Sequence, residues 1–201
     1  MRKALPLALV LLTASGLLWA QELAPAKSEP EPIFKFYSTV FGTNVPQSGG
    51  FTGLVYALKP GEEYLPNFNR RKPISKIWTA SLNVPSQDFS RGFPGIPNRV
   101  EWFAIDYKGE FWIETAGRYR FALTSDDGSI LYIDGHLIID NDGVHPAVTR
   151  QETIRLKAGL HSIRVSYFQG PRWQLALTLH VICPGQRPKI FDTKDFPIPP
   201  K

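Results

Sequence analysis

Along much of the chain apolar and polar residues alternate with a period of two. The run "WQLALTLHV" sets Trp173, Leu175, Leu177, Leu179 and Val181 on one face and Gln174, Thr178 and His180 on the other, the pattern of a half-buried strand. "LHSIRVSYF" opposes Ile163, Val165 and Tyr167 to Ser162, Arg164 and Ser166, and the two runs are expected to be paired inner strands. Upstream, residues 101–125 alternate aromatics with charges and are interrupted at Lys108-Gly109 and Ala116-Gly117. That spacing predicts a three-strand meander of ordinary strand lengths. Residues 33–98 are less regular: "GLVYAL" and "ISKIWTASLNV" are separated by stretches such as "PGEEYLPNFNRRKP", whose Pro, Gly and Asn content marks loops. No segment keeps a helical period beyond a turn or two, and no repeat of fixed length appears. The expected fold is all-β, an antiparallel β-sandwich with a loop-rich N-terminal part.

The two ends change the picture. Arg2 and Lys3, the apolar run after them and Ala20 before Gln21 form the pattern of a secretory signal peptide over residues 1–20. Pro6 and the Ser15-Gly16 pair interrupt the run, which argues for cleavage over a membrane span needing about 20 unbroken apolar residues. Residues 21–32, "QELAPAKSEPEP", have the composition of a disordered linker. The sandwich is expected over residues 33–183, followed by a Pro-rich tail, 184–201, in which Phe191 and Phe196 are the residues suited to docking. The mature chain is thus expected to be secreted or periplasmic, of bacterial origin, without a membrane span.

Charge and cysteine usage exclude more than they suggest. The net charge of +5 falls by two when Arg2 and Lys3 leave with the signal, too mild a balance to support nucleic-acid binding. The one dense basic cluster, Arg70-Arg71-Lys72, lies in an irregular stretch and reads as a solvated loop. Cys183 is the single cysteine, so no intrachain disulfide can form and stability rests on packing. The four histidines show no pair at metal-ligand spacing, and no organic cofactor is indicated.

The chemistry concentrates in "TSDDGSILYIDGHLIIDNDG", Thr124 to Gly143. Two readings stand. Asp127-Gly128, Asp134-Gly135 and Asp142-Gly143 each follow a strand-like run, and Asp-Gly suits turns that need positive φ. Alternatively, the adjacent carboxylates of Asp126 and Asp127 offer two charged oxygen ligands to a hard cation such as calcium. Neighbouring side chains on an extended strand point to opposite faces, so both can reach one ion only if the backbone bends sharply or the intervening peptide is cis. An EF-hand does not fit "DNDG", because its first ligand position would fall on Ile138.

The chain from "EFWIETAGRYRFALTSDDGSILYIDGHLIIDNDGVH" to "IRLKAGLHSIRVSYFQGPRWQLALTL" resembles the PA-14 domain family. The marks are Gly117 to Phe121 (Gly-x-Tyr-x-Phe), Ser125 to Gly128, Asp134-Gly135, Asp140-Asn141 and Gly159 to His161. The resemblance implies a β-sandwich found in exported bacterial and fungal proteins, often a carbohydrate-binding module. In the family's lectin members the paired aspartates, joined by a cis peptide, hold a calcium ion that coordinates sugar hydroxyls; Asp126 and Asp127 match them. A second loop there commonly supplies an Asn ligand, and the matching "FQGPRW" offers Gln169 instead. Phe168, Arg172 and Trp173 are the candidate sugar contacts, with Trp173 equally suited to the inward face of its strand. Asp134, Asp140, Asn141 and His145 read as structural.

Three functions compete. The first is an exported module that binds a glycan or cell-surface polysaccharide, with calcium held by Asp126, Asp127 and Gln169. The second is a non-enzymatic cell-envelope domain that contacts another protein, with a purely structural acidic turn. The third, a glycosidase using Asp126, Asp127 or Glu152, is disfavoured because such enzymes space their carboxylates about 5 to 10 Å apart across a cleft.

Overall fold

The structure, a computed structural model, describes residues 49–96 and 99–200; the expected signal peptide, the expected linker and the expected start of the domain at residue 33 lie outside them. Among the described residues there are eleven strands: β1 (Phe51–Ala57), β2 (Ser75–Thr79), β3 (Asn83–Asp88), β4 (Phe103–Ile113), β5 (Gly117–Asp126), β6 (Ser129–Ile133), β7 (His136–Asn141), β8 (Val148–Leu156), β9 (Gly159–Gln169), β10 (Gln174–Ile182) and β11 (Lys189–Ile190). No α-helix occurs among the described residues. One sheet has the order β2-β1-β4-β9-β6-β7 and the other β11-β10-β5-β8, with every pairing antiparallel. β3 adds to the second sheet beside β10.

Two expectations about strand partners are corrected. The region 101–125 is two strands, not a three-strand meander, and β4 and β5 lie in different sheets. β4 runs straight through Lys108-Gly109 because that glycine is a packing notch and not a turn. A side chain there would meet the Phe51 ring at 3.3 Å and the Gly50 carbonyl at 3.4 Å. Likewise β9 and β10 are not paired: β9 sits between β4 and β6, β10 beside β5, and residues 170–173 carry the chain from one sheet to the other.

The period-two faces meet between the sheets. Ile105, Tyr107 and Phe111 of β4 and Ile163, Val165 and Tyr167 of β9 pack against Phe121 and Leu123 of β5 and Leu175, Leu177, Leu179 and Val181 of β10, all buried. The Pro-rich tail contributes to this core. Phe191 is fully buried, lies edge-on to Phe111 and stacks on Phe196 with centroids 5.1 Å apart. Its N–H donates to the Leu179 carbonyl at 2.8 Å, just past the two-residue pairing of β11 with His180 and Val181 of β10. Burying each such ring stabilises the fold by about 1.5–3 kcal/mol.

Candidate functional site

Three crossings between the sheets converge at one end of the sandwich. β5 ends at Asp126 and β6 begins at Ser129; β7 ends at Asn141 and β8 begins at Val148; β9 ends at Gln169 and β10 begins at Gln174. The registers bring them together: Ser125 faces Val148, Asp126 faces Ala176, and Ser129 faces both Asn141 and Tyr167.

The hairpin reading of the Asp-Gly pairs therefore holds at one of the three. Asp134-Gly135 joins β6 to β7 with φ of 51° and 76°. Asp127-Gly128 and Asp142-Gly143 are instead steps from sheet to sheet. Gly128 is demanded by close approach: a side chain there would strike the Phe168 ring, the Asp142 carboxylate (2.7 Å) and the Gly143 nitrogen (2.8 Å).

The Asp126-Asp127 peptide is cis, and both side chains are buried. Asp127 ties the crossings together. Its Oδ2 accepts the Gly170 N–H at 2.8 Å and the Gln169 amide Nε2 at 3.3 Å, and its Oδ1 accepts the His145 N–H at 3.2 Å. Asp126 accepts a backbone hydrogen bond from Ala147. Burial and then the neighbouring Asp127 charge push the Asp126 carboxyl up to about 6. Burial likewise raises Asp127, with the Gly170 and His145 N–H groups pulling the other way. Among the described residues neither carboxylate forms an ion pair with a lysine or arginine.

Gln169 is fully buried behind this pair. Its Nε2 faces three acceptors: Asp127, the Pro171 carbonyl (3.3 Å) and the Gln174 carbonyl (3.1 Å). Its Oε1 turns to the Tyr167 hydroxyl at 2.7 Å, which is also 2.7 Å from the Asp126 carbonyl. In this orientation Gln169 organises the carboxylate through N–H groups and presents no oxygen to it. No group of three or more His, Cys, Asp or Glu side chains among the described residues is arranged to hold a metal.

The three proposed sugar contacts fare differently. Phe168 is fully buried and packs with Leu58 and Ala104 under Leu65, Phe68 and Trp102, so it offers no platform; the loop after β1 covers the outer face on which alternation placed it. Trp173 is 80% exposed, because β10 begins only at Gln174 and the preceding residue belongs to the crossing. Arg172 is exposed, paired with Glu101 at 3.1 Å and set over the Phe89 ring. The residues expected to be structural make local ties. Asp134 accepts from Ser162 and bonds His161, Asp140 accepts the Asp142 N–H, and Asn141 donates to Ser125 and the Val148 carbonyl. The His145 ring bridges the Pro146 and Asn141 carbonyls. Sequence reasoning missed Asp142 as a site residue: its carboxylate accepts the Leu65 N–H at 3.0 Å across a separation of 77 residues, a partner no local pattern reveals.

A family model described as "PA14 domain" matches residues 77–194. Among solved structures, the PA14 domain of the MpAFP antifreeze protein is similar at 16% identity and a TM-score of 0.61, covering 75% of this chain and 92% of that one. A PA14 sugar-binding domain from an RTX adhesin is 18% identical, with a TM-score of 0.58 over 74% of this chain and 97% of that one. The epithelial adhesin 9 A domain of Candida glabrata, solved with Galβ1-3GlcNAc, is 12% identical, with a TM-score of 0.53 over 77% and 92%. No curated protein matches the chain.

Proposed function

The chain belongs to the PA14 domain family, and from that premise we propose that it is an exported, non-enzymatic module that binds a glycan, such as a cell-surface polysaccharide, at the corner built by Asp126 and Asp127. The observation that carries the reading is the pair of adjacent buried carboxylates with no ionic partner among the described residues. Two such groups held together out of water call for a cation. Calcium suits an all-oxygen donor set and leaves coordination positions for vicinal hydroxyls. Asp126 and Asp127 would hold it.

Gln169 joins them by turning its amide over, which brings Oε1 to the place now held by Nε2, beside Asp127 and the Pro171 and Gln174 carbonyls. Three acceptors around that place disfavour an oxygen there unless a cation lies among them. Tyr167 serves either state, since its hydroxyl can accept from Nε2 while donating to the Asp126 carbonyl. Exposed Trp173 and Arg172 are the rim contacts on the β9–β10 crossing. Kinship with domains described as sugar-binding, or solved with a disaccharide, lends the ligand class.

The test is glycan-array binding and calorimetry with and without chelator. Binding that requires calcium and disappears in the Asp126→Ala, Asp127→Ala double variant is expected. Unchanged sugar binding in that variant would sink the ion-mediated mechanism.

A second reading is a cell-envelope interaction domain in which the corner is purely structural. It draws on the three N–H donors that already satisfy Asp127. A calcium titration that moves neither melting temperature nor tryptophan fluorescence would favour it.

A further inference from the structure

We propose that Tyr64, on the loop between β1 and β2, is a stacking residue of this site and lies against the apolar C–H face of a pyranose ring; the inference rests on the carbohydrate reading above. β1 ends at Ala57, which faces Phe103, and Phe103 faces Gln169 on β9. The loop over residues 58–74 therefore leaves the sheet at the end where the crossings converge. Its backbone is fixed there: the Leu65 N–H donates to both oxygens of the Asp142 carboxylate, at 3.0 and 3.3 Å. That carboxylate in turn abuts Gly128, the residue after Asp127.

Gly143, Val144 and Gly170 lead from the Tyr64 ring toward the acidic corner. A side chain placed on Gly143 would lie 3.9 Å from the Tyr64 ring. The next residue, Val144, approaches Gly170: a side chain placed there would lie 3.7 Å from Val144 and 3.2 Å from the Asp127 Oδ2. Tyr64 and Val144 are 64% and 46% exposed. The fold leaves most of this ring in water, where it is open to a sugar. A pyranose presents hydroxyls on its rim and C–H groups on its face, and an amphipathic ring such as tyrosine covers that face at little conformational cost. Asp142 is then a positioning residue, holding the backbone beneath the ring.

Saturation-transfer NMR and calorimetry with methyl glycosides of galactose, glucose, mannose, fucose and N-acetylglucosamine, in calcium, decide the matter. The proteins compared are the full chain, Tyr64→Ala, Tyr64→Phe and the Asp126→Ala, Asp127→Ala double variant. Tyr64→Ala should weaken the bound glycoside about tenfold while Tyr64→Phe keeps the affinity, and both should melt like the parent because the pinning donor at Leu65 is backbone. If Tyr64→Ala melts early, Tyr64→Leu, which keeps bulk without a π face, replaces it with the same expectation. Parent-like affinity in Tyr64→Ala alongside loss in the double variant overturns the Tyr64 assignment alone. Failure of every glycoside to bind the parent chain overturns both it and the carbohydrate reading.

Discussion

Replacing Asp126 by asparagine should stabilise the calcium-free protein at neutral pH. In the native state the carboxyl keeps its proton up to about 6, whereas in the unfolded chain it has the ordinary value of 3.8. Between those values the folded form holds a proton that the unfolded form has released, so stability falls as pH rises through the window and the loss is complete above it. The difference corresponds to about 3 kcal/mol at about 1.36 kcal/mol per pH unit. Asparagine keeps an oxygen for the Ala147 N–H and carries no charge against Asp127. In chelator at pH 7.5, Asp126→Asn should gain about 1–3 kcal/mol, which for a domain of this size raises Tm by about 2–10 °C. In calcium the order should invert, because the parent gains binding energy and the variant has lost a charged ligand. Thermal melts at pH 4.5 and 7.5, each in chelator and in calcium, give all four comparisons. A variant that melts below the parent at pH 7.5 in chelator would refute the reasoning, as would a pH dependence between 4 and 6 that the substitution leaves undiminished, Asp127 and Asp142 supplying the part that remains.

Gln169→Glu should lower stability in chelator by about 2 kcal/mol or more, since it sets a third carboxylate where an N–H donor now serves Asp127, and should tighten calcium binding in calorimetry; weaker calcium binding would exclude the amide rotation. Gly128→Ala should cost about 3 kcal/mol or more in urea unfolding, because no room exists for a methyl group between Phe168, Asp142 and Gly143. Phe191→Ala should cost about 3–5 kcal/mol. Truncation after Gln186, which removes Phe191 and Phe196 together, should abolish a cooperative melt; a truncated protein that melts like the parent would mean that the tail is dispensable.

Alternation was enough to place Ile163, Val165 and Tyr167, and Leu175, Leu177, Leu179 and Val181, on inner faces, because burial on one side of a strand leaves a period-two trace whatever the partner. Partners leave no such trace. β9 and β10 share the pattern yet lie in opposite sheets, and Gly109 marks a place where Phe51 approaches, although it has the same letter as a turn glycine. At the site, Asp126 and Asp127 stood out because a hairpin asks for one aspartate before its glycine. Parity set Trp173 on the inner face with Leu175, yet it is 80% exposed, since parity stops where the strand stops and β10 begins at Gln174. Phe168 looked outward-facing until the loop from Leu58 to Phe68 is laid over it. Tyr64 and Asp142 were invisible for the same reason: their juxtaposition depends on β1 ending beside Gln169 through two intermediate registers.

The division of labour along β10 carries a mechanical consequence. Its first half, at the acidic end, is flanked by β3, while its last half is flanked by the two residues of β11. From there Phe196 reaches the far end of β4, where its carbonyl accepts the Trp112 N–H. A pull applied through the residues after Phe196 enters the domain at the pole opposite Asp126 and Asp127 and meets the Phe196–Trp112 bond first, then the Thr193–Ala80 bond, and the short β11 ladder only after them. The Phe191 and Phe196 rings would act as the latch under load, since both belong to the core shared by the two sheets, and their release would precede any force on the three crossings that hold the acidic corner.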